Sequence, residues 1–209
     1  MVFHGSVDER ASLHEEVLDR LFVEAHTTNT FSDEAVDPAV IAEVYEDIRW
    51  APTQMNAQPL RLTLVHTSEA KRRLGPHMRP GNRDKTLAAP ITIIAAWDPT
   101  WHHHLPVLAP HREGAREKLD PDPEARREIG QRSAYLQIGY LIIGLRAYGL
   151  HVGPMTGLNP TGVDEEFHAE TGWKTAVVIN VGWKPNADDA KAIRPRAGRL
   201  SFDDACQIV

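Results

Sequence analysis

The sequence of 209 residues lacks the features that mark several large classes of protein. It contains a single cysteine, Cys206, so it can form no internal disulfide and can supply no thiolate cluster for a metal. It has no excess of basic residues, since its formal net charge is -6, whereas a general nucleic-acid binder needs a basic surface to neutralise phosphates. We therefore expect a reduced protein that does not bind nucleic acid.

Long hydrophobic runs are also missing. The most apolar stretch, YLIIGLRAYGL, is interrupted by Arg146 and is too short to cross a bilayer. The opening residues, MVFHGSVDERASLHEE, lack the basic segment and the apolar core of a signal peptide. These absences predict a cytoplasmic protein that does not bind membranes.

Familiar catalytic and nucleotide-binding motifs are absent too. The sequence has no G-x-S-x-G, no P-loop and no G-x-G-x-x-G after a strand, which argues against a hydrolase and against a Rossmann site. The segment WHHHLPVLAPH is rich in histidine, but no carboxylate or cysteine is spaced in the sequence to complete a metal site. We therefore predict no bound metal.

The composition that remains is typical of one globular domain, with 42% hydrophobic and 25% charged residues. Apolar periodicity predicts helices over 13–23, 38 to about 50 and 124–150, and strands over 60–65, 90–97 and 176–183. Few strands and several helices predict an α+β fold, in a single domain spanning 1–209. The stretch at about 98–123, rich in proline, histidine and charge, is predicted to be a lid-like excursion.

Local signals refine three of these boundaries. Asp37 followed by Pro38 is the expected start of the second helix, because aspartate caps and proline suits the first helical position. Ser68 is predicted to cap a short helix in the same way. The segment VGPMTGLNP is rich in turn residues and is interpreted as a loop.

Four polar segments carry groups suited to a polar or anionic ligand. APTQMNAQP offers amides between stiffening prolines, and HVGPMTGLNP has glycines that let the backbone approach a ligand. In GNRDKT, Asn82 and Lys85 are three residues apart and project to one side of a helix. RPRAGRLS concentrates arginines that can grip a phosphate. Each segment alone is also readable as a solvated turn or surface, and that interpretation is kept for Arg194.

In this order, the four segments resemble those of the nitroreductase-like family of FMN-dependent oxidoreductases, from about Leu21 to the end. APTQMNAQP is similar to the family's Pro-Ser-x-x-Asn-x-Gln-Pro loop, and NRDK to its Asn-x-x-Lys. GPMTG is similar to its Pro-x-x-Gly flavin loop, and RAGRLSFDDA to its C-terminal basic pair before a short acidic helix. The lines KTLAAPITIIAAWD, LRAYGLHVGPMTGLN and RLSFDDAC look most like the branch of malonic semialdehyde reductases, or 3-hydroxypropanoate dehydrogenases.

The resemblance implies a central, mostly antiparallel sheet flanked by helices, in an interlocked homodimer with two FMN sites at its interface. Lys85 would stabilise the charge of reduced flavin, the Thr156 N–H would approach N5, and the loop 52–56 would serve the partner's flavin. The residues that the resemblance assigns to FMN are His26, Thr27, Asn29, Pro52, Thr53, Gln54, Asn56, Asn82, Lys85, Pro154, Met155, Thr156, Gly157, Arg196 and Arg199.

One departure concerns the first flavin motif, where the family usually carries a basic pair and a further basic residue. Here the segment is AHTTNTF, residues 25–31, and the strong charges are gone. His26, Thr27 and Asn29 retain hydrogen-bonding groups. We therefore expect this segment to hold the phosphate more weakly, with Arg196 and Arg199 carrying the main charge.

The implied activity is hydride transfer from NADPH or NADH to FMN and then to a small aldehyde such as malonic semialdehyde. No side chain is assigned as the catalytic acid, and His26 or His104 is the expected proton source. Arg61 or Arg112 is the expected partner of a substrate carboxylate. Two alternatives stay open: a broad nitro or quinone reductase of the same fold, and a non-catalytic flavin-binding protein.

Overall fold

The computed structural model describes residues 14–185, 189 and 191–209, and in this part of the chain four strands form one antiparallel sheet. The strands are β1 Leu60–Val65, β2 Ile91–Trp97, β3 His151–Met155 and β4 Lys174–Gly182, in the order β1-β2-β4-β3. The edges of the sheet are therefore β1 and β3. All three pairings are antiparallel, which confirms the expected sheet type.

The central strand β2 is buried along its whole length, as its β-branched run predicts. It pairs with β1 from Leu60 opposite Trp97 to Val65 opposite Thr92. Its pairing with β4 shifts between Ala95 and Ala96, a bulge of the kind that locally increases strand twist.

Helices cover both faces of the sheet. Their bounds are α1 Glu15–Leu18, α2 Pro38–Ile48, α3 Ser68–Leu74, α4 Pro80–Ala88, α5 Leu105–Leu108, α6 Ala115–Leu119, α7 Pro123–Ala147, α8 Pro160–Phe167 and α9 Phe202–Ala205. Three short 3-10 turns lie at Gln54–Asn56, Gly75–His77 and Trp101–His104. None of the helices in the described residues is long and apolar enough to cross a membrane.

Two apolar clusters, one on each face, hold the helices on the sheet. On one face, Leu141 and Leu145 of α7 and Val44 of α2 pack with Ile93 of β2. On the other face, α3, α8 and the strands form a smaller cluster around Ile94. Burying such aliphatic side chains contributes roughly 1.5–3 kcal/mol each, so the long helix α7 is a main support of the fold.

The second helix begins as its sequence predicts. The Asp37 side chain accepts a hydrogen bond from the Ala39 N–H at 2.8 Å, and Pro38 is the first helical residue. The prediction for Ser68 is wrong by one residue, because Thr67 is the cap and its hydroxyl accepts from the Ala70 N–H at 3.1 Å. Thr67 has the extended backbone of a cap, whereas Ser68 is already helical.

The first predicted helix differs from its expectation. Leu13 lies outside the described residues, α1 has a single turn, and a π-helical turn, Asp19–Val23, continues it. Leu21 is buried, but Val17, Leu18 and Phe22 are exposed, so among its described positions the predicted apolar stripe faces the core at Leu21. Local spacing predicted the helix, but the packing of this chain leaves most of its apolar face uncovered.

The segment 98–123 contains ordered structure rather than a long structureless loop. It holds a 3-10 turn, α5 and α6, and its Trp101, Leu105 and Leu119 form a third apolar cluster with Ala57. The Trp101 indole donates to the carbonyl of Arg126 on α7 at 2.9 Å. These contacts attach the segment to α7, while its role as a lid stays a prediction.

The interpretation of VGPMTGLNP as a loop is wrong for its first half. Val152 to Met155 belong to β3, which pairs with β4 in regular register. Pro154 is tolerated there because β3 is an edge strand, where a missing N–H need not break the ladder. The turn residues begin after Met155.

Candidate functional site

A cavity of about 650 Å³ lies beside the β3 edge of the sheet, and we call it the anion cavity. It is formed by three separate parts of the chain: the segment after the first helix, the start of α4 and the C-terminal segment. Its lining residues are Ala25, His26, Thr27, Asn29, Gly81, Asn82, Lys85, Arg146, Arg194, Pro195, Arg196, Ala197 and Arg199. Residues 25–31, GNRDKT and RPRAGRLS therefore meet at one place, whereas APTQMNAQP is not part of this wall.

Residues 25–31, which we call the first segment from here on, reach the cavity because they pair with the edge strand. The Thr28 N–H donates to the Val152 carbonyl at 2.9 Å, and the Asn29 N–H donates to the Ala192 carbonyl at 2.8 Å. A Cβ at Gly153 would lie only 2.3 Å from the Thr28 carbonyl oxygen. Glycine at 153 is therefore what permits this segment to lie against β3.

GNRDKT, which lies in α4, is positioned by a chain of buried polar side chains. Thr92 of β2 donates to the Asn180 amide oxygen of β4 at 2.9 Å, and the Asn180 amide donates to the Thr86 hydroxyl of α4 at 3.4 Å. These three side chains are buried, so their hydrogen bonds fix α4 against the sheet. Asn82 and Lys85 then project from α4 into the anion cavity, as their spacing predicts.

Gly157 connects HVGPMTGLNP, the third polar segment in chain order, to this site. The Asn82 amide donates to the Gly157 carbonyl at 2.9 Å, and a Cβ at Gly157 would lie 2.5 Å from the same amide nitrogen. Thr156 is exposed, and its carbonyl accepts from the Leu158 N–H. Pro154, Met155 and Thr156 are not among the lining residues, so the structure brings the third segment beside the cavity without adding its side chains to the wall.

The charge of the cavity is one-sided. Five cationic side chains line it, from Lys85, Arg146, Arg194, Arg196 and Arg199, and no carboxylate is among the lining residues that the structure describes. Burial lowers the pKa of Lys85, and the nearby Arg194 charge lowers it further. Arg194 is exposed, as expected of a solvated side chain, but it also belongs to this wall. Such an arrangement favours a ligand with more than one negative charge.

The C-terminal arginines donate hydrogen bonds to backbone carbonyls near them. The Arg196 guanidinium donates to the Nε2 of His26 at 3.0 Å and to the carbonyl of Val23. This contact engages the Nε2 of His26, and the role of His26 as proton source stays a prediction. Arg199 donates to the carbonyls of Ala197 and Gly198, at 3.2 Å and 2.9 Å.

The loop 52–56 does not reach the anion cavity of its own chain. The Pro52 carbonyl accepts from the Tyr140 hydroxyl at 3.1 Å, and the Asn56 amide donates to the Leu108 carbonyl at 2.7 Å. Pro52, Thr53, Gln54 and Asn56 are thus assembled beside α7 and the 98–123 segment. The backbone at Met55 and Asn56 is left-handed, a conformation uncommon for residues other than glycine, which marks this loop as tightly constrained.

Arg146 is the lining residue that the sequence interpretation missed. It lies in the last turn of α7, and its guanidinium donates to the Leu21 carbonyl at 2.9 Å. It also lines a smaller cavity of about 270 Å³, together with Arg20 and Lys184. In the sequence it stands inside an apolar run, where a single arginine carries no motif that would assign it to a site.

Arg61, expected to meet a substrate carboxylate, is already paired. Its guanidinium donates to Asp98 at 2.7 Å and to the carbonyls of Gln58 and Leu60 at 3.1 Å and 2.9 Å. It lines an open, largely apolar cavity of about 560 Å³ at the β1 edge, beside His104 and Trp173. Three of its five N–H groups are thus engaged within the chain and its charge is paired with Asp98, whereas Arg112 is exposed.

The histidine-rich segment gains a partner that the sequence spacing does not show. The buried His102 lies 2.7 Å from the carboxylate of Asp120, and His103 lies 3.5 Å from the same oxygen. Together, these three residues are grouped closely enough to offer one ligand atom each. A direct hydrogen bond between His102 and Asp120 accounts for the shortest contact, and it ties the 3-10 turn to the end of α6.

The family and the relatives of the chain agree with this geometry. The model of the nitroreductase family matches residues 23–183. A protein of Leptothrix cholodnii, named "Putative NADH dehydrogenase/NAD(P)H nitroreductase", is 43% identical over 192 residues, which cover 92% of this chain and 95% of that protein. A protein of the same name from Stenotrophomonas maltophilia is 42% identical, over 91% of this chain and 95% of its own length.

Solved structures share the fold at low identity. A nitroreductase family protein of Streptococcus pneumoniae has a TM-score of 0.74 at 19% identity, covering 93% of this chain and 98% of its own. A protein of Exiguobacterium sibiricum described as a "putative nitroreductase in complex with FMN" has a TM-score of 0.75 at 16% identity, covering 95% of this chain and 98% of its own. The expected nitroreductase-like fold is therefore confirmed.

Proposed function

Because the chain belongs to the nitroreductase family, we propose that it is an FMN-dependent oxidoreductase that takes electrons from NADH or NADPH. The observation that carries the proposal is the anion cavity, where five cations and no described carboxylate suit a phosphate-bearing cofactor. The cavity volume of about 650 Å³ is in the range of cofactor sites. The names of the relatives support the nicotinamide donor.

Each wall of the cavity has a proposed task. FMN, when bound, accepts hydride from the nicotinamide and passes it to the acceptor. Arg196 and Arg199 hold the phosphate, and His26, Thr27 and Asn29 add hydrogen bonds to it or to the ribityl chain. Asn82 and Lys85 face the pyrimidine edge, where the ammonium of Lys85 stabilises the negative charge that reduction creates.

Pro154, Met155, Thr156 and Gly157 form the proposed backbone approach to the ring, with the Thr156 N–H closest to the reacting position. This assignment rests on the chain order of the four segments and on the bond that joins Asn82 to Gly157. The glycine keeps the third segment in contact with α4. No side chain is proposed as the catalytic acid.

A second copy of the chain completes the proposed site. Pro52, Thr53, Gln54 and Asn56 lie away from the anion cavity of their own chain, which is the position required if they serve the flavin of a partner. Tyr135 and Leu136 on α7, and Leu200 and Phe202 in the C-terminal segment, expose apolar surface that a partner would cover. We propose an interlocked homodimer, and sedimentation at twice the mass of one chain would support it.

The acceptor is the finer part of the proposal. The sequence likeness to malonic semialdehyde reductases favours a small aldehyde, reduced to 3-hydroxypropanoate in that case. The names of the curated relatives favour a nitro compound instead. Since Arg61 is occupied by Asp98, Arg112 is the remaining candidate among those proposed for a substrate carboxylate.

The first experiment is an absorption spectrum of the purified protein, followed by NADPH or NADH without oxygen. We expect flavin bands that bleach on reduction. Malonic semialdehyde, a nitroaromatic compound and a quinone, added separately to the reduced protein, should restore the bands at different rates and so rank the acceptors. Flavin bands that never bleach with either nicotinamide would favour the non-catalytic alternative. A colourless protein that fails to bind added FMN would contradict the proposal.

A further inference from the structure

Arg146 stands out among the cationic groups of the described residues because it is half-buried in a wall of like charges, and Glu24 is the one acid among the described residues that line the smaller cavity beside it. Its hydrogen bond within the described chain goes to the carbonyl of Leu21, and no described carboxylate forms an ion pair with it. Burial lowers the pKa of its guanidinium, yet arginine remains charged in proteins at neutral pH. The fold therefore holds this positive charge partly away from water, with no ion pair to a carboxylate among the described residues.

Such a charge is costly in the free protein. Burying an ion is unfavourable unless a counter-charge compensates, and here Lys85 and Arg194 line the same cavity with the same sign. A buried cation among like charges is characteristic of a functional site rather than of a stabilising contact. An anionic ligand would supply the counter-charge that the described lining residues of the anion cavity lack.

The position of Arg146 identifies which part of the ligand it meets. It lines both the anion cavity and the smaller cavity beside it, and it shares this position with Ala25 and His26 of the first segment. That segment is where the family's first flavin motif places basic residues and where this chain has AHTTN. The charge that is missing from the segment is present on the adjoining end of α7.

We propose that Arg146 holds the FMN phosphate in place of the basic residues that the first segment lacks. This inference rests on the proposed function, since it assigns one residue to the same site. The phosphate would lie where the end of α7 and the 194–199 segment both contribute guanidinium groups, with Arg196 as the second anchor. Arg146 is a binding residue in this scheme, and it takes no part in hydride transfer.

The test compares FMN with riboflavin, which differ by the phosphate alone. Quenching of flavin fluorescence would give both affinities for the wild-type chain, Arg146→Gln and Arg146→Lys. A lost charge-assisted hydrogen bond corresponds to a factor of roughly 10–150. We expect Arg146→Gln to weaken FMN by about that factor and to leave riboflavin within about twofold. Arg146→Lys should recover part of the FMN affinity.

A matched control is Arg127→Gln, on the same helix, where the arginine is exposed and pairs with Glu124. This variant should bind both flavins like the wild type. Equal losses of FMN and riboflavin in Arg146→Gln would show a structural role through the Leu21 contact and would overturn the inference. Unchanged FMN affinity would overturn it as well, while leaving the proposed function standing. Failure of the wild-type chain to bind FMN would instead remove the proposed function itself.

Discussion

The two edges of the sheet use charged side chains in opposite ways. At the β1 edge, Arg61 and Asp98 pair at 2.7 Å, and in the adjoining segment 98–123 His102 meets Asp120 at 2.7 Å. At the β3 edge, five cations line a cavity in which none of the described lining residues is acidic. The charges at the β1 edge are paired within the chain, whereas the cations that line the cavity at the β3 edge have no acidic residue beside them among the described lining residues.

This difference separates stability from binding. A cation that pairs with a carboxylate inside the chain contributes to folding, and its charge is already compensated. Arg61, which pairs with Asp98, is therefore a poorer candidate for binding a substrate carboxylate. Cations gathered without acids repel one another, so they are unfavourable for folding alone and become favourable when an anion binds. The β3 edge is therefore where we place the function of the protein.

The largest effect on stability is expected from a substitution that pushes the wall of the anion cavity away from the sheet. In Gly153→Ala, the new Cβ would meet the Thr28 carbonyl oxygen at 2.3 Å, and backbone on both sides resists displacement. We expect the free energy of unfolding to fall by about 3 kcal/mol, measured by urea denaturation, and FMN affinity to fall with it.

Gly198→Ala is the control for this change, because no atom lies within 4 Å of the added carbon. It should alter the free energy of unfolding by less than about 0.5 kcal/mol. If Gly153→Ala were as stable as this control, the contact between the first segment and β3 would not be what holds the cavity wall.

A smaller effect is expected from the paired edge. Arg61→Met leaves the carboxylate of Asp98 largely buried without its cation, and we expect a loss of about 2 kcal/mol at pH 7, with Arg61 itself partly exposed. Arg73→Met, which removes an exposed pair with Glu166, should cost less than about 1 kcal/mol. Similar losses in both variants would contradict the structural role of the Arg61 pair.

The same pair predicts a pH dependence. Burial would raise the pKa of Asp98, but hydrogen bonds from Thr100 and the charge and hydrogen bond of Arg61 outweigh it, so the pKa lies below its ordinary 3.8. The contribution of the pair is therefore present above about pH 3.8 and is lost as pH falls through the lower folded-state pKa. The stability difference between wild type and Arg61→Met should shrink correspondingly in urea titrations at acid pH.

The smallest effect concerns the chemistry at the β3 edge. Lys85→Gln removes one of the five cations and keeps a polar side chain, so we expect little change in stability. Reduction by NADPH should slow by about tenfold, since the charge of reduced flavin loses a stabilising ammonium. Stopped-flow bleaching of the flavin bands measures this rate, with Lys118→Gln, an exposed lysine of α6, as the control. An unchanged rate would remove Lys85 from the pyrimidine edge.

Much of the architecture could be predicted from local signals. The start of α2 at Pro38, the buried strand β2 and the common face of Asn82 and Lys85 follow from capping, β-branched residues and helical spacing, which act over a few residues. The strand in VGPM was missed because glycine and proline usually mark turns, whereas an edge strand accepts both.

The candidate site was less accessible to sequence reasoning, because its parts are far apart in the chain. His26 and Arg196 were assigned through a resemblance, and their 3.0 Å contact depends on the pairing of the first segment with β3 and with Ala192. The partner of His102 was missed for a related reason. Asp120 is separated from it by α5 and α6, which fold back through apolar contacts that no motif records.

The sequence by itself determined the start of α2, the buried strand β2 and the order of four polar segments, since these depend on neighbouring residues. Only the tertiary structure decided which charges remain without a partner. Arg61 and Arg146 are both arginines within largely apolar surroundings in the sequence. Folding places the carboxylate of Asp98 beside Arg61 and places further cations in the cavity wall with Arg146, because long-range packing determines the neighbours of a charge.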